Sequence, residues 1–122
     1  MIQPVYDSVG FFKRTSIGLK DLTFAYVYQN KKIGVIDAQN KQLLPPTYQY
    51  VKNVDETFHF IAINEAGKSG LVSNDNRVII PFEYDWLDEV VNFSFILKKN
   101  KKIGLADVNG KIVIPVVYDQ IV

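Results

Sequence analysis

The chain has 122 residues, no Cys, one His and a formal net charge of +1. These features exclude disulfides, thiolate metal sites and clusters of His ligands, and they provide no strong positive field to attract nucleic acid. The sequence has no apolar run long enough to span a bilayer, and no basic segment followed by an apolar stretch at its start. We therefore expect one cytoplasmic domain, residues 1–122, with no cofactor and no membrane or nucleic-acid partner.

The first nine residues are a partial copy of a pattern that returns three times. Ile2 and Tyr6 have the same spacing as Ile80 and Tyr84 later in the chain. Left alone, such a segment leaves strand edges unpaired. We expect it to cover the first full unit, and the alternative is that it pairs near the third unit and closes the units into a ring.

The segment 10–21 makes the first repeat interval six residues longer than the second. It contains Phe11 and Phe12, followed by two basic residues. Insertions in repeat proteins map to loops, often on the binding face. We therefore predict a loop that is either a contact site or an irregular end cap, and Phe11 and Phe12 are candidate partner-binding residues.

Three full copies follow, at about 22–51, 58–87 and 93–122. Aligned on a shared Gly, each copy has a Pro eleven residues later and a Tyr fourteen residues later. These structural repeat positions are Gly34, Gly70, Gly104, Pro45, Pro81, Pro115, Tyr48, Tyr84 and Tyr118. Fixed spacing of this kind is typical of repeat architectures, in which each unit buries its apolar face on a neighbour.

Each copy is predicted to be a small antiparallel meander. Aromatic and branched runs at 24–28, 58–63 and 93–97 favour a first strand, and a second strand begins at the shared Gly. A third short strand stops before the shared Pro, because Pro has no N–H to give to a ladder. Between the second and third strands, residues that tolerate positive φ predict equivalent turns at Asn40, Asn76 and Gly110.

The fold class that follows is an all-β tandem repeat of small antiparallel meanders, with three units and a leading partial unit. No stretch of the sequence has a helical period. We expect an open curved stack, and a closed threefold β assembly is the alternative. Asp7, Asp85 and Asp119 each follow a motif Tyr, and we expect them to accept hydrogen bonds from backbone N–H groups of the adjoining turn.

The third copy matches a known pattern most fully, with KIGLADVNGKIVIPVVYD at residues 102–119. This arrangement resembles the bacterial WG-repeat (KWG-repeat) family. The Trp of the family motif is replaced in all copies, by Ile33, Ser69 and Ile103. The resemblance covers nearly the whole chain and implies an all-β repeat protein of bacterial type, usually without known catalysis. It supplies no shared substrate and no shared catalytic residue.

Candidate catalytic groups are few. His59 is the only His and lies inside a predicted strand. We interpret it as a strand-surface or partly packed imidazole and not as a general base. We therefore expect a protein that is not an enzyme and has no catalytic, cofactor-binding or metal-binding residues.

The position two residues after each motif Tyr varies, whereas the framework keeps its residue types. Ser8, Tyr50, Trp86 and Gln120 occupy it in turn. Tyr and Trp are favoured anchors of binding hot spots, so Tyr50 and Trp86 are candidate partner-binding residues. The alternative is that both rings pack across the joints between adjacent units.

The functional expectation is a module that binds another protein. A narrower form is an immunity or antitoxin-like protein that neutralises a toxin by direct binding. Two other classes stay open: a structural repeat segment, and a carbohydrate or cell-wall binder, for which the aromatic residues are the support.

Overall fold

The computed structural model describes residues 6–17, 19–54, 58–90 and 94–119, with Ile17 described by its backbone alone. Within these ranges the chain forms β-strands, and no helix is long and apolar enough to cross a membrane. The strands are β1 (Ser8–Val9), β2 (Lys13–Ile17), β3 (Lys20–Gln29), β4 (Lys32–Asp37), β5 (Gln42–Tyr48), β6 (Tyr50–Asn53), β7 (His59–Ile63), β8 (Ser69–Ser73), β9 (Val78–Tyr84), β10 (Trp86–Val90), β11 (Ser94–Lys99), β12 (Lys102–Asp107) and β13 (Ile112–Tyr118).

The strands form three antiparallel sheets that follow one another along the chain. Sheet 1 has the order β1-β3-β4-β5, with β2 paired to β3; sheet 2 has the order β6-β7-β8-β9; sheet 3 has the order β10-β11-β12-β13. None of them is closed into a barrel. The prediction of an all-β tandem repeat of antiparallel meanders is confirmed.

Each sheet begins two residues after a motif Tyr. Ser8, Tyr50 and Trp86 are the first residues of β1, β6 and β10, and these leading strands start the three sheets. The sheets are therefore offset in phase from repeats counted from residues 22, 58 and 93. The leading strands are absent from the sequence-based assignment because they are short and their apolar and polar residues do not alternate.

The turns between the second and third strands of the repeats are equivalent, as predicted. Asn40, Asn76 and Gly110 have φ values of 65°, 61° and 84°. In each turn the N–H of this residue donates to the carbonyl three residues earlier, over 3.0–3.1 Å. The positive φ explains why only Asn and Gly occupy the position.

The prediction that the shared Pro ends the third strand is wrong. β5 continues through Pro45 to Tyr48, and β9 and β13 continue in the same way. The ladder between β4 and β5 pairs Val35 with Leu44 and then Ile33 with Tyr48, so three residues of β5 lie opposite Gly34. Pro is tolerated because this bulged segment leaves the regular ladder, where its missing N–H is not needed.

The prediction of a loop at 10–21 is also wrong over most of its length. Residues Lys13–Ile17 form β2, which pairs with the first half of the long strand β3. The pairing joins Lys13 to Phe24 and Ile17 to Lys20. The β2 sequence has no alternation of apolar and polar residues that would indicate a strand. It is a strand because the hairpin satisfies backbone groups that a loop would leave to water.

The hydrophobic core lies between neighbouring sheets. At the junction of sheets 1 and 2, the buried cluster comprises Phe24, Val35, Leu44, Tyr48, Val51, Phe60, Ala62 and Val72. At the junction of sheets 2 and 3, it comprises Val54, Ile61, Leu71, Ile80, Tyr84, Leu87, Phe95, Leu97 and Ala106. Sheet 2 is therefore covered on both faces, and all five residues of its strand β8 are buried.

The opening segment lies on sheet 1. Ser8 and Val9 of β1 pair with Tyr28 and Val27 of β3. Tyr6 packs against Ala25, Val27 and Ile36, which are each 0% exposed. The front face of sheet 1, meaning Ala25, Val27 and Ile36, is thus covered by this end of the chain. Ile2 lies outside the described residues.

Candidate partner-binding site

The two candidate anchors occupy the same position in consecutive sheets. Tyr50 starts β6 and Trp86 starts β10, each directly after the motif Tyr and one intervening residue. Each side chain is 47% exposed. Side chains alternate along a strand, so Val51 and Leu87 point into the core while their neighbours remain accessible.

The structure brings Tyr50 and Trp86 to one cavity of about 240 Å³ between the leading strands of sheets 2 and 3. We call it the Tyr50–Trp86 cavity. Its walls contain apolar side chains from both sheets, and its rim contains one cation and one anion. The lining residues are Tyr50, Lys52, Ile61, Ile63, Ser69, Trp86, Leu87 and Asp88. The two rings therefore lie at a joint between units, as the packing interpretation predicts. They are also half exposed, so they are accessible to a partner.

An ion pair joins the two leading strands at the cavity. Lys52 Nζ lies 3.6 Å from Asp88 Oδ1, with side chains 45% and 38% exposed. Asp88 Oδ1 also accepts a hydrogen bond from the backbone N–H of Glu89 at 2.8 Å. An ion pair this exposed contributes at most about 1 kcal/mol to stability. Its charges remain available to a partner at the rim.

Lys52 and Asp88 were missed by reasoning from the sequence alone. The available signal is alternation: each stands two residues after an anchor, so it shares that anchor's side of the strand. Alternation can be used only if a strand is known to begin at each anchor. The pairing of β6 with β7 and of β10 with β11 shows that it does.

Phe11 and Phe12 do not line the Tyr50–Trp86 cavity. They lie between β1 and β2, where Phe11 is 93% exposed and Phe12 45% exposed. Gly10 anchors the start of this connection through an N–H donated to the Tyr26 carbonyl at 2.8 Å. The two Phe side chains form a separate exposed apolar pair on sheet 1.

Two of the three Asp residues after the motif Tyr, Asp7 and Asp85, accept a backbone N–H of a turn, as predicted. Asp7 Oδ2 accepts the N–H of Asn30 at 2.7 Å, and Asp85 Oδ2 accepts the N–H of Asn100 at 3.0 Å. Asp85 also pairs with Lys68 over 2.6 Å, and Asp119 pairs with Lys102. These bonds assign Asp7 and Asp85 to the framework of the repeats, whereas Asp119 contributes an exposed ion pair.

In sheet 2, Gln49 replaces this Asp, and the facing turn also differs. Gln49 donates from Nε2 to the Glu65 carbonyl at 3.0 Å. The turn is capped by its own Asn64, whose Oδ1 accepts the N–H groups of Ala66 and Lys68. An amide that donates suits this turn because the turn offers a carbonyl in place of an N–H.

His59 lies at a second cavity, of about 380 Å³, together with Arg77, Val78, Ile79, Val108 and Asn109. Burial lowers the pKa of His59, and the neighbouring Arg77 charge lowers it further. In the described part of the chain, no group of three or more His, Asp or Glu residues is placed to hold a metal ion. Lack of catalysis remains a prediction from the residue inventory.

The sequence was compared with known families and proteins. The model of the family described as "WG containing repeat" matches residues 33–56, 70–102 and 103–122, which is more than half of the chain. The matched segments cover parts of all three sheets and include the shared Gly, Pro and Tyr of every repeat. No curated protein and no solved structure matches the chain.

Proposed function

Because the chain belongs to the WG containing repeat family, we propose that it is a non-enzymatic protein-binding module whose contact site is the Tyr50–Trp86 cavity. The observation that supports this proposal is the presence of two half-exposed aromatic anchors at one cavity with apolar walls. Tyr and Trp are enriched among residues that dominate interface energies.

The size of the cavity favours a protein side chain as the occupant. Its volume of about 240 Å³ is below the roughly 300–1,000 Å³ typical of small-molecule sites. One or two apolar side chains of a partner would fill it, while Lys52 and Asp88 would meet polar groups at the rim. This arrangement, with an apolar centre and a charged periphery, is typical of protein interfaces.

Affinity capture from an extract of the native host tests the proposal. The baits are the wild-type chain, the double variant Tyr50→Ala/Trp86→Ala, and the matched control Phe11→Ala/Phe12→Ala. We expect one protein to be retained by the wild type and the control and to be lost from the cavity variant. Retention by the cavity variant, or capture of no protein above background, would contradict the proposal.

The identity and activity of the captured protein show whether the binding module is an immunity or antitoxin-like protein. If the partner is an enzyme toxic to the cell, stoichiometric addition of this chain should abolish its activity. The Tyr50→Ala/Trp86→Ala variant should fail to do so, because the blocking contact would be lost. Full activity of a toxic partner in the saturated complex would exclude the immunity function.

A carbohydrate ligand is the second candidate, favoured by the two exposed rings at the cavity. Trp86 is the only Trp in the sequence, so its fluorescence reports on this site directly. A saturable change in emission on titration with cell-wall oligosaccharides would support a carbohydrate ligand. An unchanged emission would leave the protein partner as the function of the site.

A further inference from the structure

The second cavity, of about 380 Å³, lies between sheets 2 and 3 and shares no described lining residue with the Tyr50–Trp86 cavity. We call it the His59–Arg77 cavity. His59 begins β7, Arg77 precedes β9, and Asn109 lies in the turn between β12 and β13. Its volume is within the range of roughly 300–1,000 Å³ typical of small-molecule sites.

The sheet 3 wall of this cavity rests directly on sheet 2. A Cβ built on Gly110, the residue after Asn109, would overlap the carbonyl oxygen of Ile79. Asn109 is also held within its own turn, because its N–H donates to Asp107 Oδ1 at 2.9 Å. The backbone that carries Asn109 is therefore fixed against β9, and the cavity does not depend on a loose loop.

Arg77 is the charged group among the described residues that line the cavity. None of the ion pairs within the described part of the chain involves its guanidinium. Asp75 is near in sequence, but its carboxylate accepts a hydrogen bond from the Ser73 hydroxyl and does not line the cavity. That hydrogen bond lowers the pKa of Asp75 most, and the Arg77 charge lowers it further.

The equivalent positions at the junction of sheets 1 and 2 include both charges. By repeat spacing, Lys41 corresponds to Arg77, and Asp75 corresponds to Asn109. The first junction thus has a cation and an anion at these two positions, whereas the second has a cation and a neutral amide. This difference favours an anion from outside the chain as the counterpart of Arg77.

We propose that the His59–Arg77 cavity binds a small organic molecule with one carboxylate and an apolar body. A guanidinium pairs with a carboxylate through two parallel hydrogen bonds, and the Asn109 amide is a further donor. The apolar body would contact Val78, Ile79 and Val108. This inference goes beyond the proposed function, because it concerns a different cavity and a different class of ligand.

The cavity suits a single negative charge better than the two charges of a phosphate group. Burial lowers the pKa of His59, and the Arg77 charge lowers it further. The imidazole is therefore neutral at pH 7 and offers a hydrogen bond without a second positive charge. A dianion would retain one uncompensated charge in a partly buried site, which costs free energy.

Proton NMR of the imidazole tests the inference, because His59 is the only His in the sequence. The probes are hexanoate, its uncharged analogue hexanamide and inorganic phosphate, at constant ionic strength and about pH 8, where the imidazole is neutral. We expect hexanoate to shift the His59 signals saturably, with a dissociation constant on the order of 1 mM for so small a molecule. Hexanamide and phosphate should bind at least about tenfold more weakly.

Three variants, each checked for wild-type unfolding behaviour, assign the effect to the cavity. Arg77→Met removes the guanidinium of an exposed side chain, and Asn109→Asp places a competing carboxylate on the wall. Both should weaken hexanoate binding at least about tenfold, whereas Lys41→Met, the equivalent change in sheet 1, should leave it unchanged. No saturable shift with hexanoate, equal binding of hexanamide, tighter binding of phosphate, or unchanged affinity in either cavity variant would overturn the proposal.

Discussion

At the scale of single residues, the shared Gly of each repeat is explained by a close approach of two backbones. A Cβ built on Gly34 would lie 2.6 Å from the Leu44 carbonyl oxygen, and one on Gly104 would lie 2.6 Å from that of Ile114. Both contacts come from the bulge that carries the shared Pro. Gly and Pro thus recur together because one makes room for the strand bulge that contains the other.

Substitution of Gly34 by Ala should therefore destabilise the protein strongly. We expect a loss of at least about 2 kcal/mol in the free energy of unfolding, since the clashing atoms belong to the backbone and cannot rotate away. Gly10→Ala is the control, because its Cβ would meet the Tyr26 carbonyl at an ordinary 3.5 Å. Urea denaturation of both variants measures the difference. Equal stability of the two would show that the bulge can move without strain.

The motif Tyr has a second role through its hydroxyl. Tyr48 donates from its hydroxyl to Asn76 Oδ1 at 2.8 Å and so connects sheet 1 to the turn of sheet 2. Burial raises the pKa of Tyr48. Because the pKa is raised in the folded state, the stabilisation from the protonated Tyr48 hydroxyl is fully present below the ordinary pKa of about 10. It is lost as the pH rises through the folded value.

Tyr48→Phe should reduce the free energy of unfolding by about 1 kcal/mol, since it removes one partly buried hydrogen bond. Tyr118→Phe, at the exposed equivalent position, should change it by less than about 0.5 kcal/mol. Denaturant titrations at pH 7 and low protein concentration compare the two. A larger effect at Tyr118 would contradict the assignment of Tyr48 to the inter-sheet bond.

The repeated residues were predictable from the sequence because their spacing is fixed by the repeat. Spacing alone shows that Pro45 and Gly34 belong together, but it does not show that they face each other across a bulge. Pro disfavours a regular strand, so a local rule placed the strand end before it. The tertiary pairing of β4 with β5 overrode that rule.

At the scale of elements, the turn after the first regular strand of each repeat is stabilised from outside by the residue that follows the motif Tyr. Asp85 accepts the Asn100 N–H and pairs with Lys68. The hydrogen bond from Lys68 lowers the pKa of Asp85, and the Asn100 N–H lowers it further. A lowered folded pKa means that the stabilisation is present above the ordinary pKa and is lost as the pH falls through the folded value.

Asp85→Asn should therefore destabilise sheet 3 at pH 7 and have less effect as the pH falls below the ordinary carboxyl pKa of about 4 and through the lowered folded value. The stability difference between wild type and variant, followed from pH 7 downward, measures this. Lys68→Met should show the same trend, because it removes the cation that pairs with the Asp85 carboxylate. A difference that stays constant over this range would rule out the carboxylate as its source.

Strand β2 and the leading strands β6 and β10 could not be assigned from the sequence. Five residues such as Trp86–Val90 contain too few alternations to distinguish a strand from a connection. Their position depends on pairing with the next strand along the chain, as Trp86 pairs with Lys98 and Leu87 with Leu97. The two anchors of the site, Tyr50 and Trp86, were predicted from the sequence. The walls of the cavity were not, because they depend on this strand pairing.

At the scale of the whole molecule, the structure is a stack of sheets whose faces are covered in turn. The first face is covered from the N-terminal side, where β1 pairs with β3 and Tyr6 packs on Ala25, Val27 and Ile36. Sheet 2 contributes to both inter-sheet cores. Loss of any one covering element should therefore lower the local stability of the sheet that it covers before it affects the other sheets.

Deletion of residues 1–9 tests whether the opening segment stabilises sheet 1 in particular. We expect loss of amide-exchange protection around residues 24–36, because their covering segment is gone, while 112–118 keep theirs. Hydrogen exchange of the deletion variant and the full chain measures both regions in one experiment. Loss of protection around 112–118 instead would indicate that the opening segment closes a ring with the third sheet.

The Tyr50–Trp86 cavity is a property of the stack, because neither sheet alone contains it. Sheet 2 supplies Tyr50 and Lys52, and sheet 3 supplies Trp86 and Asp88. A partner that fills the cavity would contact two repeats at once and would stabilise their junction. Partner binding is therefore expected to raise the stability of the chain by mass action.

Calorimetric titration of the captured partner with three forms of this chain tests the account most directly. The forms are the wild type, Tyr50→Ala and Phe11→Ala, each checked for wild-type unfolding behaviour. We predict that Tyr50→Ala weakens binding by at least about 2 kcal/mol, or roughly thirtyfold, as expected of a hot-spot aromatic, and that Phe11→Ala leaves it unchanged. Unchanged affinity for Tyr50→Ala, or a loss confined to Phe11→Ala, would contradict the assignment of the cavity as the partner-binding site.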